Sequence, residues 1–316
     1  MNGAGGAPAG VSQGRTLKMI LRSVLSKFLN LPEFLRHASQ KVDRNAQWDP
    51  EHDIDLKLYA KVFENEFLHY GYFSPIPQDA EHISLYDIKQ AMHAYAELIT
   101  SRIETGKVVL DVGCGTGGLS RLLRDKGVQA TGLTPNISQY EYIKARHPHI
   151  PVIKSELEGL EAAEYRGKFD VVVNSESFQY IGIETGMRKI RDILKDDGTW
   201  LVVDYYRLRE DARNKSGHLL SEFLDGLARN ALKAEETLDI TPNVLPTLGY
   251  AYLLATRIGL PLVDHAIDKF FLNHPLLCYV FGDSVKHYRG RVRLDTLAPE
   301  VFARDKRYLL HCIRKI

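Results

Sequence analysis

The sequence predicts an α/β fold, a mainly parallel seven-stranded sheet with helices on both faces. Three observations predict it. Five short β-branched runs between residues 107 and 206 are separated by helical segments. The connections are short, as expected where a helix crosses between neighbouring parallel strands. At the first strand-to-helix junction, VVLDVGCGTGGLS (108–120) passes from apolar residues into glycines at 113, 115, 117 and 118. So bare a backbone lets a ligand come close and offers N–H groups at a helix start.

The elements follow in order. MNGAGGAPAGVSQG has no charged start followed by a long apolar stretch, so it reads as a disordered tail over 1–15 and not a secretion signal. A helical cap is expected over 16–80. Within 16–36, Leu17, Ile20, Leu21, Val24, Leu25 and Phe28 recur at helical spacing, with Lys18, Arg22 and Lys27 largely opposite. That helix can pack on its own domain, the simpler reading, or make peripheral contact with an anionic membrane. No run reaches the roughly 18–20 apolar residues of a spanning helix. Cys114, Cys278 and Cys312 are an odd number at no metal-ligand spacing, which fits reduced thiols in a cytoplasmic protein.

The core is expected over 81–206. Ile83, Ile88, Met92, Tyr95, Leu98 and Ile99 mark a helix within 81–105. Strands are expected at 107–112, 129–133, 151–154, 169–175 and 199–206. Helices fit GGLSRLLRDKG, NISQYEYIKARH and ETGMRKIRDILKDDG, the last stopping at Gly198. Residues 207–282 read as a helical insertion after the fifth strand. It either extends the core or forms a lid, and an apolar lid implies an apolar or part-apolar substrate. Residues 283–316 return to strand-like sequence, HYRGRVRL and RYLLHCIRKI, and close the sheet.

Lys plus Arg is 41 and Asp plus Glu is 40, a net charge of +1. With no basic stripe interleaved with aromatics, this argues against nucleic acid as a partner. A sheet of this kind binds its ligand at the carboxyl ends of the strands. Asp111 and the glycines, Thr134, Glu156, Ser175–Tyr180 and Asp204–Tyr206 all fall there. Two cofactor classes use such a glycine loop. Gly113, Gly115 and Gly118 satisfy the dinucleotide spacing, but the position about 20 residues on is Leu133–Thr134, without the carboxylate that a ribose would need.

LDVGCGTGG resembles the first motif of class I S-adenosylmethionine-dependent methyltransferases, which are Rossmann-like. KFDVVVNSESFQYIG and LKDDGTWLVVDYY resemble the later motifs of that family. GLTPNISQ is similar to the second-strand ending of the cyclopropane-fatty-acid synthase, sterol, tocopherol and phosphobase methyltransferase group, with departures at Pro135 and Asn136. FLHYGYF (67–73) resembles the segment that folds over the methionyl end of the cofactor, through His69, Tyr70 and Tyr72. The resemblance implies S-adenosyl-L-methionine as cofactor. It implies Asp111, Gly113 and Gly115 at the amino-acid end, and Thr134 with Gln139 at the ribose. Glu156 and Leu157 would face the adenine, and Asn174 with Ser175 would lie beside the sulfonium.

The reaction implied is methylation of an oxygen, nitrogen or activated carbon of an apolar or amphiphilic small molecule. Candidate catalytic groups at the strand ends are Glu176, Gln179, Tyr180, Asp204, Tyr205, Tyr206 and, upstream, His69. Cyclopropane synthases carry a glutamate where Gln179 stands, and Gln179 cannot be an anionic ligand, which disfavours alkene cyclopropanation. Two alternatives remain: a lipid C-methyltransferase at the membrane surface, and a non-catalytic partner that keeps the fold. The sequence does not specify an oligomeric state.

Overall fold

Apolar side chains occupy successive positions along the central strands, so both faces of the sheet must be covered. The computed structural model describes residues 66–211, 215–289, 294 and 298–316. Its strands are β1 (Val108–Val112), β2 (Gln129–Thr134), β3 (Val152–Lys154), β4 (Phe169–Ser175), β5 (Leu194–Arg207), β6 (Leu232–Asp239) and β7 (Lys306–Lys315). They form one sheet in the order β3-β2-β1-β4-β5-β7-β6. β1 through β5 pair in parallel, and β7 runs antiparallel to both β5 and β6. The strand order reverses between β1 and β4, which opens a crevice at their carboxyl ends.

The two faces follow from the pleat. Val109, Val171, Val173, Leu201 and Val203 join one core, beneath α1 (Leu85–Thr100) and α2 (Gly118–Asp125). α3 (Ile137–Arg146) and the single turn α4 (Ala162–Tyr165) follow. Leu110, Val112, Val172, Trp200 and Val202 join the opposite core, beneath α5 (Ile183–Ile193) and α6 (Leu220–Arg229). α1 starts at a reciprocal cap. The Ser84 hydroxyl accepts from Asp87 N–H at 3.2 Å, and the Asp87 carboxylate accepts from Ser84 N–H at 2.9 Å. Ile88, Met92, Tyr95 and Ile99 then recur on the buried face, as their spacing requires.

Four expectations are corrected. Residues 66–79 are an extended strap, not part of a helical cap; the tail over 1–15 and the helix over 16–36 lie outside the described residues. The region 207–282 contains β6, so the helical insertion follows the sixth strand and not the fifth. It comprises α7 (Thr241–Leu254), a π turn at Ala255–Gly259, α8 (Leu260–Asn273) and α9 (Pro275–Arg289). α9 takes up His287–Arg289, the start of the HYRGRVRL run expected as a strand, and 290–293 lie outside the described residues. α5 stops at Ile193, five residues before Gly198, because Leu194 enters β5 and pairs with Phe169. The other closing strand is found as expected, and α10 (Pro299–Asp305) leads into it.

Candidate active site

A cleft of about 580 Å³ lies where the strand order reverses, within the size range of small-molecule sites. Its floor is Asp111 through Thr116, from the end of β1 and the glycine loop. Thr134–Asn136, Gln139 and Ser155–Glu158 form one side, Ser175–Ser177 with Tyr180 and Ile181 the other. Glu66–His69 of the strap also line it.

The glycines are demanded by contacts. Gly113 has φ of +72°, and a Cβ there would lie 2.4 Å from the Ser177 Cβ. A Cβ on Gly118 would lie 2.4 Å from the Glu66 carbonyl oxygen, so the strap can cross only a bare helix start. The strap is pinned there. Glu66 accepts from Arg121 Nε at 2.9 Å, pairs with His147 Nε2 at 2.7 Å, and its carbonyl accepts from Thr116 Oγ1 at 2.6 Å. Further on, Gly71 N–H donates to Thr247 Oγ1 at 3.0 Å and Phe73 N–H to the Asn243 carbonyl at 3.0 Å, both on α7.

Asp111 is buried, and its carboxylate accepts from Ser120 Oγ at 2.7 Å. Burial pushes its pKa up to about 6. Such a carboxylate suits a cationic ligand group. Asn136, a departure from the expected motif, caps α3 by accepting from the Ser138 and Gln139 N–H groups at 2.8 and 3.2 Å. The cap fixes Gln139, whose amide oxygen accepts from Thr134 Oγ1 at 2.7 Å. That leaves the Gln139 NH₂ as donor.

On the other side, Glu176 holds a left-handed backbone, φ +52°, unusual for a residue with a side chain. Its carboxylate accepts from Tyr70 N–H at 2.8 Å and from the Tyr308 hydroxyl. Tyr308 in turn meets the Tyr95 hydroxyl at 3.0 Å, and Ser175 Oγ donates to Tyr95 at 3.5 Å. Because Tyr308 donates to Glu176, the file of hydroxyls runs from Ser175 through Tyr95 to that carboxylate. Burial raises Glu176 to about 7 and Asp204 to about 8; Glu176 adds to the rise at Asp204. Asp204 accepts from the N–H groups of Gln179 at 3.0 Å and Tyr205 at 2.9 Å. His69 stacks on Tyr95 at 4.1 Å between ring centroids. Its Nδ1–H donates to the Tyr70 carbonyl at 2.8 Å, its Nε2 is buried without a partner, and burial lowers its pKa to about 4.

Asp111, Gly113, Gly115, Thr134, Gln139, Glu156 and Leu157 therefore meet in one cleft, with His69, Glu176 and Tyr180. Several candidates, Tyr72 and Tyr205 among them, do not line it. The Asn174 amide is spent between Trp200 Nε1–H and Ser177 Oγ, both at 2.9 Å. Tyr206 points to the opposite core, against Phe223 and His311. Tyr70 reaches Glu176 through its backbone while its ring packs on Tyr308. Asp204 and Gln179 sit behind Glu176. Among the described residues none of the helical insertion lines the cleft, and its Val244 and Leu248 join the core. Glu66, Tyr95 and Tyr308 join the site through partners distant in sequence, and no local motif marks them for it.

A family model described as a methyltransferase domain matches residues 81–225. The chain is 32% identical over 124 residues to the S-adenosylmethionine-dependent methyltransferase UmaA of Mycobacterium tuberculosis, covering 36% of this chain and 43% of that protein. The chain thus spans less than half of that relative. Among solved structures, the geranyl diphosphate C-methyltransferase of Streptomyces coelicolor A3(2) superposes with a TM-score of 0.57 at 16% identity, over 84% of this chain and 100% of that one. The cyclase SpnF superposes at 0.58 with 21% identity, over 83% and 93%. These two likenesses speak for the fold, and the fold hosts more than one chemistry.

Proposed function

From the premise that residues 81–225 are a methyltransferase domain of the class I S-adenosylmethionine-dependent type, we propose that the protein methylates an oxygen, nitrogen or activated carbon of an apolar or amphiphilic small molecule. The observation that carries this is the meeting of Asp111, Gly113, Thr134, Gln139 and Glu156 in one cleft, although 45 residues separate the first from the last.

The residues fit the cofactor. Asp111, buried with one hydroxyl donor, is matched to the α-ammonium of the methionyl end, and the Gly113 turn leaves room where a side chain would collide. The free donors of the Gln139 amide suit ribose hydroxyls, in place of the carboxylate of a dinucleotide site. Glu156 and Leu157 would flank the adenine. Bound there, S-adenosylmethionine supplies an already activated methyl group. The chain's own task is alignment, and orientation alone can contribute roughly 7–11 kcal/mol at the upper end. The strap over 66–69 lines the cleft beside the glycine loop. Glu176 stands at its acceptor side with a pKa near neutrality, as a general base requires.

Calorimetry tests the reading. S-adenosylhomocysteine should bind saturably at one site and NAD should not; NAD binding without S-adenosylhomocysteine binding would overturn it.

A second reading, methylation of a lipid at a membrane surface, draws on the α8–α9 hairpin. Residues 270–282, FFLNHPLLCYVFG, carry no Asp, Glu, Lys or Arg around its turn, and Leu272 and Tyr279 are 81% and 88% exposed. No described helix is long and apolar enough to cross a membrane. Flotation with anionic vesicles, lost on replacing Leu272 and Tyr279 by Ser, would support this reading; no flotation of the intact protein would remove it.

A further inference from the structure

We propose that the methyl acceptor presents a basic nitrogen and enters the cleft as an ammonium ion, an inference that rests on the methyl-transfer reading above. Five carboxylates and no Lys or Arg are found among the described residues lining the cleft. Glu66 is already matched by Arg121 and His147. Asp111 lies at the glycine loop, and Glu156 and Glu158 are exposed at the far rim. That leaves Glu176, whose donors, a backbone N–H and a phenol, are both neutral.

Asp204, buried behind Glu176, likewise accepts only backbone N–H groups within hydrogen-bond reach. Burial holds both carboxyls well above their ordinary values, and the Glu176 charge adds to the rise at Asp204. A cation arriving at Glu176 relieves that cost. A neutral acceptor leaves it in place, and a carboxylate or phosphate acceptor worsens it. Among the described residues no three His, Cys, Asp or Glu side chains are grouped to hold a metal ion that could bridge an anionic acceptor to these carboxylates. The unpartnered His69 Nε2, a lone pair with the ring held neutral, adds an acceptor and not a positive charge.

Glu176 takes the proton: the N–H bond of the ammonium breaks and an O–H bond forms on the carboxylate. The nitrogen pair so freed makes the new N–C bond as the methyl–sulfur bond breaks, its pair staying on sulfur. Glu176 afterwards gives its proton to solvent.

The test uses the full chain saturated with S-adenosylhomocysteine, titrated with 4-phenylbutylamine, 4-phenylbutanol and 4-phenylbutyrate. The amine should bind at least about tenfold tighter than the other two, and Glu176→Gln should abolish the preference while keeping S-adenosylhomocysteine bound. Sinefungin, which carries an amine where the donor carries its methylsulfonium, is the second probe and needs no variant. It should bind the wild-type chain about tenfold tighter than S-adenosylhomocysteine. Equal or weaker sinefungin binding overturns the proposal, whether or not the three phenylbutyl compounds bind. So does a carboxylate or alcohol that binds as well as the amine, or a preference that survives in Glu176→Gln. Loss of S-adenosylhomocysteine binding in the wild type strikes the methyltransferase reading itself and is scored first.

Discussion

Tyr308, on the last strand of the sheet, donates its hydroxyl to the carboxylate of Glu176, 132 residues earlier in the chain. The antiparallel return of β7 beside β5 therefore braces, through Glu176, one side of a cleft that the parallel strands begin. The bond stabilises the charged form of Glu176 and partly offsets the effect of burial. Tyr308→Phe should move the Glu176 titration upward from about 7, read by infrared difference spectroscopy of the carboxyl band. Leaving Tyr95 short of its partner should cost about 1–3 kcal/mol of stability. An unmoved titration would separate the tyrosine from the carboxylate.

Stability should depend on pH with a definite sign. Unfolded carboxyls titrate near about 4, whereas Glu176 and Asp204 titrate at about 7 and about 8 when folded. Between those values the folded chain keeps protons that the unfolded chain has released, so unfolding becomes easier as pH rises. Asp111, at about 6, acts the same way at lower pH. His69 and His311, lowered to about 4, act oppositely, but only below their unfolded value of 6.5. The melting temperature should therefore fall from pH 6.5 to 8. A flat or rising curve there would contradict the burial of the two carboxyls.

Replacing Asp111 by Asn removes a charge and keeps the shape. S-adenosylhomocysteine should bind roughly tenfold to a hundredfold more weakly, the range of a lost charge-assisted hydrogen bond. The loss should be largest above pH 6, where the wild-type carboxylate is ionised. Calorimetry across pH 5–8 measures both.

Gly113→Ala meets a left-handed backbone and a Cβ at 2.4 Å from the Ser177 Cβ. It should cost about 1–3 kcal/mol in denaturant unfolding. Gly167→Ala is the control: its φ is also positive, +59°, but nothing lies within 4 Å of the added carbon. The difference between the two variants isolates the close approach.

Arg121→Ala releases one of the two side chains that hold the Glu66 carboxylate. Stopped-flow displacement of S-adenosylhomocysteine should show dissociation faster by about fivefold, the equivalent of about 1 kcal/mol of hydrogen bonding. An unchanged rate would mean that the strap does not hold the ligand in.

The parallel half of the sheet was legible because β1, β2, β4 and β5 are apolar runs set off by turn residues, and their period gives them away. β6 was not: LKAEETLD is rich in residues that favour helices, and it is a strand because β7 offers it an edge. The glycine loop and Thr134–Gln139 could be read locally, since neighbours in sequence build them. Tyr206 and Asn174 could not be placed, because pleat direction alone decides which core a strand-end residue enters. Glu66 reaches Arg121 across 55 residues and Tyr308 reaches Glu176 across 132, a relationship no single stretch records.

The strap carries a consequence for how the two sides of the cleft are coupled. One run of eight residues is tied at Glu66 to α2, at Tyr70 to Glu176, and at Gly71 and Phe73 to the helical insertion. Four positions along the chain separate the Glu66 tie from the Tyr70 N–H that Glu176 accepts, so a displacement at Glu66 bears on the same backbone that holds Glu176. The two sides of the cleft are thus tied to each other through one short run of backbone.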